Sequence, residues 1–244
     1  MTKNIQIYLN SKRANKYIDN TNANCIFHLP YIHTTNKKNK VSISVLSAQI
    51  PCSYYNVNSL NNKLIYSVNN ETPIEVNIII GNYNINTLIT YLKNEMPGFS
   101  IIYNASTNKL SFTHHISLFN FFQQSTCFEL IGFSDKDHIS TNNILVGDIV
   151  INLYTVQMLQ IASDNFILDN IDSFRPNNSN ILQSISVTSS YGSIVHYSNI
   201  HDIQSEIHST RNLTNLPIQI IDQNDNVVEL NGAHWSMVLL LTIA

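Results

Sequence analysis

Alternation of apolar and polar residues with a period of two recurs along the whole chain and predicts an all-β fold built from more than eight strands. The six Pro and six Gly fall almost entirely between the alternating runs, where turns belong. Only 12% of the 244 residues are Asp, Glu, Lys or Arg, while β-branched and aromatic residues are abundant, which is the opposite of a disordered composition.

The strands can be justified in order. IQIYL begins near residue 4 and CIFHL near residue 25. In VSISVLSAQIP, Val41, Ile43 and Val45 face one way, and Ser42 and Ser44 face the other. KLIYS follows near residue 63, then KLSFT near 109 and TVQMLQI near 155. In ILQSISVTS, Ile181, Ile185 and Val187 oppose Leu182, Ser184, Ser186 and Thr188. SIVHY near 193 and PIQII near 217 lead to the last run, WSMVLLLTIA. There Met237, Leu239, Leu241 and Ile243 share one face, and Val238 and Leu240 the other, so both faces want cover. Such a strand is either central in a sandwich or covered by a neighbouring subunit.

One stretch departs from this pattern. After Gly81, the residues Ile85, Leu88, Ile89, Leu92 and Met96 recur at helical spacing, with Asn84 or Asn86 able to cap the start and Pro97-Gly98 placed to end the helix. FSIIYN and KLSFTHH then form a hairpin across ASTN, and Thr126 to Glu129 has capping-box spacing ahead of Leu130-Ile131, with Gly132 as the stop. Residues 81–134 therefore look like a small α+β insertion within a single domain spanning 1–244.

Charge and composition exclude several functions. The formal net charge is −3, and the basic residues are too few and too scattered to follow a run of phosphates, so no specific nucleic-acid binding is expected. Lys37, Lys38 and Lys40 form the densest basic cluster and read as a solvated turn. No cleavable export signal opens the chain, and the longest apolar run, Trp235 to Ala244, is about half of what a membrane-spanning helix needs, so no membrane span is expected. Cys25, Cys52 and Cys127 are far apart and odd in number, which suggests reduced, buried thiols rather than a zinc site or a disulfide framework.

Catalysis needs a nucleophile, a base and a group that orients the base, and no motif of that kind is present. Catalytic, cofactor-binding and metal-ligating residues are accordingly expected to be none, and the chain is read as a non-enzyme without cofactors. His114 and His115 point to opposite faces of a strand and cannot share one ion. His196, His201 and His208 read as ordinary surface histidines. DQNDN, Asp222 to Asn226, lacks the later Gly and Glu of a calcium loop and reads as a tight turn. The sequons at Asn70, Asn104, Asn177 and Asn212 follow from Asn abundance. A weakly charged, β-rich chain with apolar surface to spare and no reactive centre suits a structural building block, because low charge limits repulsion between copies.

Several strings carry a resemblance. In order they are LNSKR (Leu9 to Arg13), FHLP (Phe27 to Pro30), VSISVLSAQIPCSYYNVN (Val41 to Asn58) with NNKLIY, IIIGNYNINTLITYLK (Ile78 to Lys93), YNASTNKLSF (Tyr103 to Phe112), ELIGFS (Glu129 to Ser134) and the closing IIDQNDNVVELNGAHWSMVLLLTI. This series resembles the penton and minor capsid proteins of virophages, polinton-like elements and nucleocytoplasmic large DNA viruses. The resemblance implies a single jelly-roll, two four-stranded antiparallel sheets packed face to face, used as a virion subunit. It further implies a homopentamer at the five-fold vertices of an icosahedral capsid, beside capsomers of the major capsid protein and assembled in an infected host cell. Head-to-tail contacts close such a ring. Other minor capsid, cement or spike-base roles are the alternatives, as is a glycan-binding jelly-roll using the Tyr-rich SYYNVN loop. Among the motif residues, Gly81 is expected to permit the turn from strand to helix, Pro51 to end its strand, and Trp235 to anchor the final strand in the core.

Overall fold

The computed structural model describes residues 3–29, 41–168, 170–171, 179–201, 203–207 and 214–243. Its first elements are β1 (Lys3–Asn10), a 3-10 turn (Ser11–Arg13), β2 (Lys16–Tyr17), β3 (Asn24–His28) and β4 (Val41–Pro51). The middle of the chain supplies β5 (Lys63–Val68), β6 (Ile74–Asn77), α1 (Ile85–Glu95), β7 (Phe99–Asn104), β8 (Lys109–His114), β9 (Phe119–Phe121), α2 (Phe128–Ile131), β10 (His138–Ile139) and β11 (Ile144–Val146). The last third supplies β12 (Met158–Ala162), β13 (Ile181–Ser186), β14 (Ile194–Ser198), β15 (Ser205–Glu206), β16 (Asn215–Asp222) and β17 (Ser236–Ile243).

These elements divide between two compact units, Met1–Tyr54 with Val156–Ala244, and Tyr55–Thr155. The first holds two antiparallel sheets, ordered β1-β17-β4-β14 and β13-β12-β16-β3, each extended by a two-residue strand, β15 on β4 and β2 on β3. Counting its eight longer strands along the chain, one sheet contains the first, eighth, third and sixth, and the other the fifth, fourth, seventh and second. That nested order is the jelly-roll. The chain is therefore an all-β jelly-roll sandwich, as its sequence predicts.

Inward residues of both sheets merge into one core. Ile7 and Leu9 of β1, Ile43, Val45 and Ile50 of β4, Leu159 and Ile161 of β12, Ile218 and Ile220 of β16, and Met237, Leu239 and Leu241 of β17 are all buried there. Burying each such side chain stabilises by about 1.5–3 kcal/mol before entropy is counted. β17 lies between β1 and β4, which settles how its two apolar faces are used: Met237, Leu239 and Leu241 fill the core, whereas Val238 and Leu240 are half-buried on the outer face. Pro51 closes β4 opposite Ile194, at a position where the ladder asks for no N–H. Trp235 is buried ahead of β17, with its ring edge-on to Phe27 at 5.8 Å.

The second unit has its own core. Sheets ordered β10-β9-β5-β6 and β11-β8-β7 enclose Phe99, Phe112, Phe119, Phe121 and Phe133, with Leu88, Leu92 and Met96 of α1 buried among them. Most of these rings meet edge to face at 4.8–5.4 Å, as between Phe99 and Phe119 or Phe121 and Phe133. Asn84 caps α1 as expected: its side chain accepts from Asn86 and Thr87, and the Thr87 hydroxyl accepts from the Asn84 N–H. Gly98 (φ +85°) and Gly132 (φ +87°) sit in the left-handed region after α1 and α2.

Three expectations change. The compact insertion runs from Tyr55 to Thr155 rather than from 81 to 134, because β5 pairs with β6 and, far along the chain, with β9. Gly81 needs no glycine backbone, since its φ lies outside the left-handed region and it forms an antiparallel bridge with Val57. Thr126 and Glu129 form no capping box: the Thr126 hydroxyl accepts from the Lys63 N–H and the Glu129 carboxylate from Asn152 Nδ2.

Left-handed backbone at residues other than Gly occurs, among the described residues, only at Asn and Asp: Asp19, Asn20, Asn69, Asn70, Asn108, Asn142, Asn143, Asp225 and Asn231. Both are the side chains that tolerate it best. Asn142 and Asn143 make a tight turn between Thr141 and Ile144, which bridge to each other.

Candidate functional site

The residues that drew attention as chemistry are placed as structure. Among the described residues, no three His, Cys, Asp or Glu side chains come together as a metal site. His114 is half-buried against Phe99, with Nδ1 accepting from the Ser117 N–H, while His115 is exposed. His196 and His201 are exposed, and His208 lies outside the described residues, as do Lys37, Lys38, Lys40, Asn177 and Asn212. Asp222 Oδ1 accepts from the N–H groups of Asn224 and Asn226, the tight turn expected of DQNDN. All three cysteines are free and buried. Burial pushes the Cys25 and Cys127 thiols up to about 12.

The Tyr-rich loop is not an open platform for stacking. The Tyr54 ring packs against the jelly-roll core and its hydroxyl accepts from the Cys52 thiol at 3.4 Å. Burial, and then the contact with Cys52, push that phenol well above its ordinary range.

What the fold does present is surface for contact. At one side of the jelly-roll, β1 is the outer strand of one sheet and β2 of the other. Lys3, Lys12, Arg13 and Lys16 are distributed along it, all exposed, with Asp19 the one acid in the first 54 residues. Between β1 and β3 lies a cavity of about 520 Å³ lined by Tyr8, Asn10, Arg13, Phe27, His28 and Met237, among others. At the opposite side, β13 and β14 are the outer strands, tied together by the Tyr197 hydroxyl donating to Gln183 Oε1 at 2.8 Å. Residues 179–207, which include both strands, hold Asp202 and Glu206 and no Lys or Arg.

The second unit has an exposed apolar sheet face. Across β7, β8 and β11, one row reads Ile102, Ser111, Val146 and the next Ser100, Thr113, Ile144. Ile102 is 60% exposed and Val146 54%, and neither row contains a charge. Uncharged, apolar exposed patches of this sort mark contact surfaces.

Motif patterns give no hint of the basic side of the jelly-roll, although a compositional signal exists. Seven of the thirteen Lys and Arg fall within the first 54 residues, against one of the sixteen acids. The LNSKR string includes Ser11 but gives it no role; its buried hydroxyl accepts from the Trp235 N–H at 3.0 Å and lies 3.0 Å from His234 Nδ1. That arrangement joins the end of β1 to the start of β17.

No family model matches the chain, and no curated protein matches its sequence. Among solved structures, the chain is similar to the crystal structure of selenomethionine-labelled mavirus penton protein, with 11% identity, a TM-score of 0.49, and coverage of 99% of this chain and 100% of the other. The jelly-roll assignment rests on the sheet orders themselves. Among the described residues, no helix is long and apolar enough to cross a membrane.

Proposed function

We propose that this chain is a structural virion protein, a penton subunit that closes the five-fold vertices of an icosahedral capsid as a homopentamer and contacts capsomers of a major capsid protein. The observation that carries the reading is the jelly-roll itself, with sheets β1-β17-β4-β14 and β13-β12-β16-β3, interrupted between β4 and β12 by a second unit. The ordered motif strings that resemble penton and minor capsid proteins fall on this framework. LNSKR spans the end of β1 and the 3-10 turn, Phe27 and His28 of FHLP lie in β3, VSISVLSAQIP is β4, and the HWSMVLLLTI ending leads through β17.

The physical argument concerns surface. A shell subunit must bury wide areas against its neighbours, so its exposed surface has to be apolar in places and weakly charged overall. Ile102, Ile144 and Val146 on one sheet face, with Ile116, Leu118 and Ile139 also exposed in the second unit, provide the first. A charged fraction of 12% provides the second.

The test is assembly. Purified full-length chain, measured by native mass spectrometry and imaged by cryo-electron microscopy, is expected to form five-membered rings, and antibody labelling is expected to place it at vertices of purified particles. A chain that stays monomeric at high concentration and is missing from particles overturns the reading.

A further inference from the structure

The two outermost strands of one jelly-roll sheet, β1 and β14, have no strand on their outer sides among the described residues. Their unpaired backbone groups can be assigned by register. The Ser11 N–H donates to the Trp235 carbonyl at 3.0 Å, and β1 pairs with β17 without a break from Asn10↔Ser236 to Lys3↔Ile243. Antiparallel pairing alternates, so the odd-numbered residues of β1 bond to β17, while Asn4, Gln6 and Tyr8 turn their N–H and C=O groups outward. On the other side, the Cys52 N–H donates to the Ser193 carbonyl at 2.8 Å and the Asn199 N–H to the Leu46 carbonyl at 2.9 Å. By the same alternation Ile194, His196 and Ser198 of β14 face outward. Ser189 Oγ donates to the Ile194 carbonyl and the Ile200 N–H to the Ser198 carbonyl, so among the described residues the N–H groups of Ile194, His196 and Ser198 and the His196 carbonyl have no partner along this edge.

Long free edges invite another strand, and proteins usually blunt them with Lys, Pro or a bulge. β1 carries Lys3 at its start and nothing further of that kind over eight residues. β14 carries none. Exposed apolar side chains lie beside both edges instead: Tyr8 is 75% exposed and Ile194 46%.

Strand direction and charge select the occupant. β1 is antiparallel to β17, β17 to β4, and β4 to β14, so β1 and β14 run in opposite directions. A rotation about an axis along the strands therefore sets β14 of one copy antiparallel to β1 of the next, without turning either copy over. The Lys3, Lys12, Arg13 and Lys16 side then meets a side where β13 and β14 carry no Lys or Arg and Glu206 of β15, also paired to β4, is acidic. Pairing β1 with β1 would instead bring two basic sides together.

We infer that the β1 edge of one copy adds to the β14 edge of the next by main-chain hydrogen bonds, extending one sheet from subunit to subunit in a head-to-tail ring. This rests on the virion reading above and specifies its contact. Such an interface leaves each isolated or open-ended assembly with one unfilled edge of each kind, so closure of the ring alone satisfies both.

The experiment uses the full chain and two variants, Tyr8→Pro to block β1 and His196→Pro to block β14. Each replaces an N–H that bonds to nothing within the sheet, so the fold tolerates it. Native mass spectrometry is expected to show wild-type rings, each variant weakened in self-association by about tenfold or more, and a one-to-one mixed dimer when the two variants are combined. An unfolded variant could not form that dimer, so the mixture controls for folding. Amide exchange on the wild type adds a second readout: the Gln6, Tyr8 and His196 amides are expected to be protected in the ring and unprotected in dilute monomer. Self-association of His196→Pro at wild-type strength would show β1 pairing with β1 and overturn the inference. Wild-type-like rings from both variants would overturn it and leave the ring reading standing. A wild type that never associates removes both.

Discussion

The indole Nε1 of Trp235 donates to the Asn22 carbonyl at 2.7 Å, a bond between residues 213 positions apart in the chain. It fastens the connection between β2 and β3 to the start of β17, and the Trp235 N–H meets Ser11 Oγ from the same position. Trp235→Phe keeps much of the packing but leaves the carbonyl without its donor, a cost of about 1–2 kcal/mol. Trp235→Ala removes the ring as well, at about 3–5 kcal/mol. Denaturant melts of the two variants are expected to fall in that order; a Trp235→Phe chain as stable as wild type would mean the hydrogen bond contributes nothing, and equal losses in the two variants would mean the ring packing contributes nothing.

Asp148 governs an acid response in the second unit. Desolvation works to raise its pKa, but hydrogen bonds from Ser134 Oγ and N–H, with Lys136 Nζ at 3.1 Å, win and hold the carboxyl well below its ordinary range. A carboxyl lowered on folding stabilises the folded state fully above its unfolded pKa and loses that contribution as pH falls through the folded value. Asp148→Asn is therefore expected to melt earlier than wild type at neutral pH, with the gap closing below about pH 4. A gap that widens on acidification would contradict the assignment. Thermal melts from neutral to acidic pH measure it.

The α1 cap is testable on its own. Asn84→Ala removes the acceptor for Asn86 and Thr87 and is expected to cost about 1 kcal/mol. Asn84→Ser restores an acceptor and is expected to recover most of the loss, read by chemical denaturation. No difference between Ala and Ser would mean the cap is idle.

Thiol chemistry reports on burial. Cys25 and Cys127, both pushed up to about 12 by burial, are expected to resist alkylation at pH 8 in the folded chain and to react fully once it is unfolded. Mass spectrometry after brief labelling measures this. Labelling of folded Cys127 at the unfolded rate would place that side chain in solvent.

Much of the fold was legible because its signals are local. The alternation in β4 and β17 and the Asn84 cap with its Pro97-Gly98 stop depend on neighbours a few residues away, and each appears where expected. The insertion boundary was not legible. KLIYS reads as a strand, but nothing within it says that it pairs with β9 some fifty residues later rather than joining the jelly-roll. The Thr126 to Glu129 spacing also misled, since both side chains found better partners in Lys63 and Asn152 through tertiary contact. Free edges are illegible for the same reason. Whether β1 or β14 is outermost is a property of sheet order, whereas the crowding of Lys and Arg into the first 54 residues can be counted directly.

The left-handed positions at Asn20, Asn69, Asn70, Asn108, Asn142, Asn143 and Asn231 give an abundant residue a useful place to go. With just six Gly in 244 residues, many reversals of direction are written in Asn instead. A side chain rigidifies the unfolded chain relative to Gly, so each of these corners loses less freedom on folding than a glycine corner would. Replacing Gly with Asn at its bends thus lets the chain turn often while keeping its loops stiff.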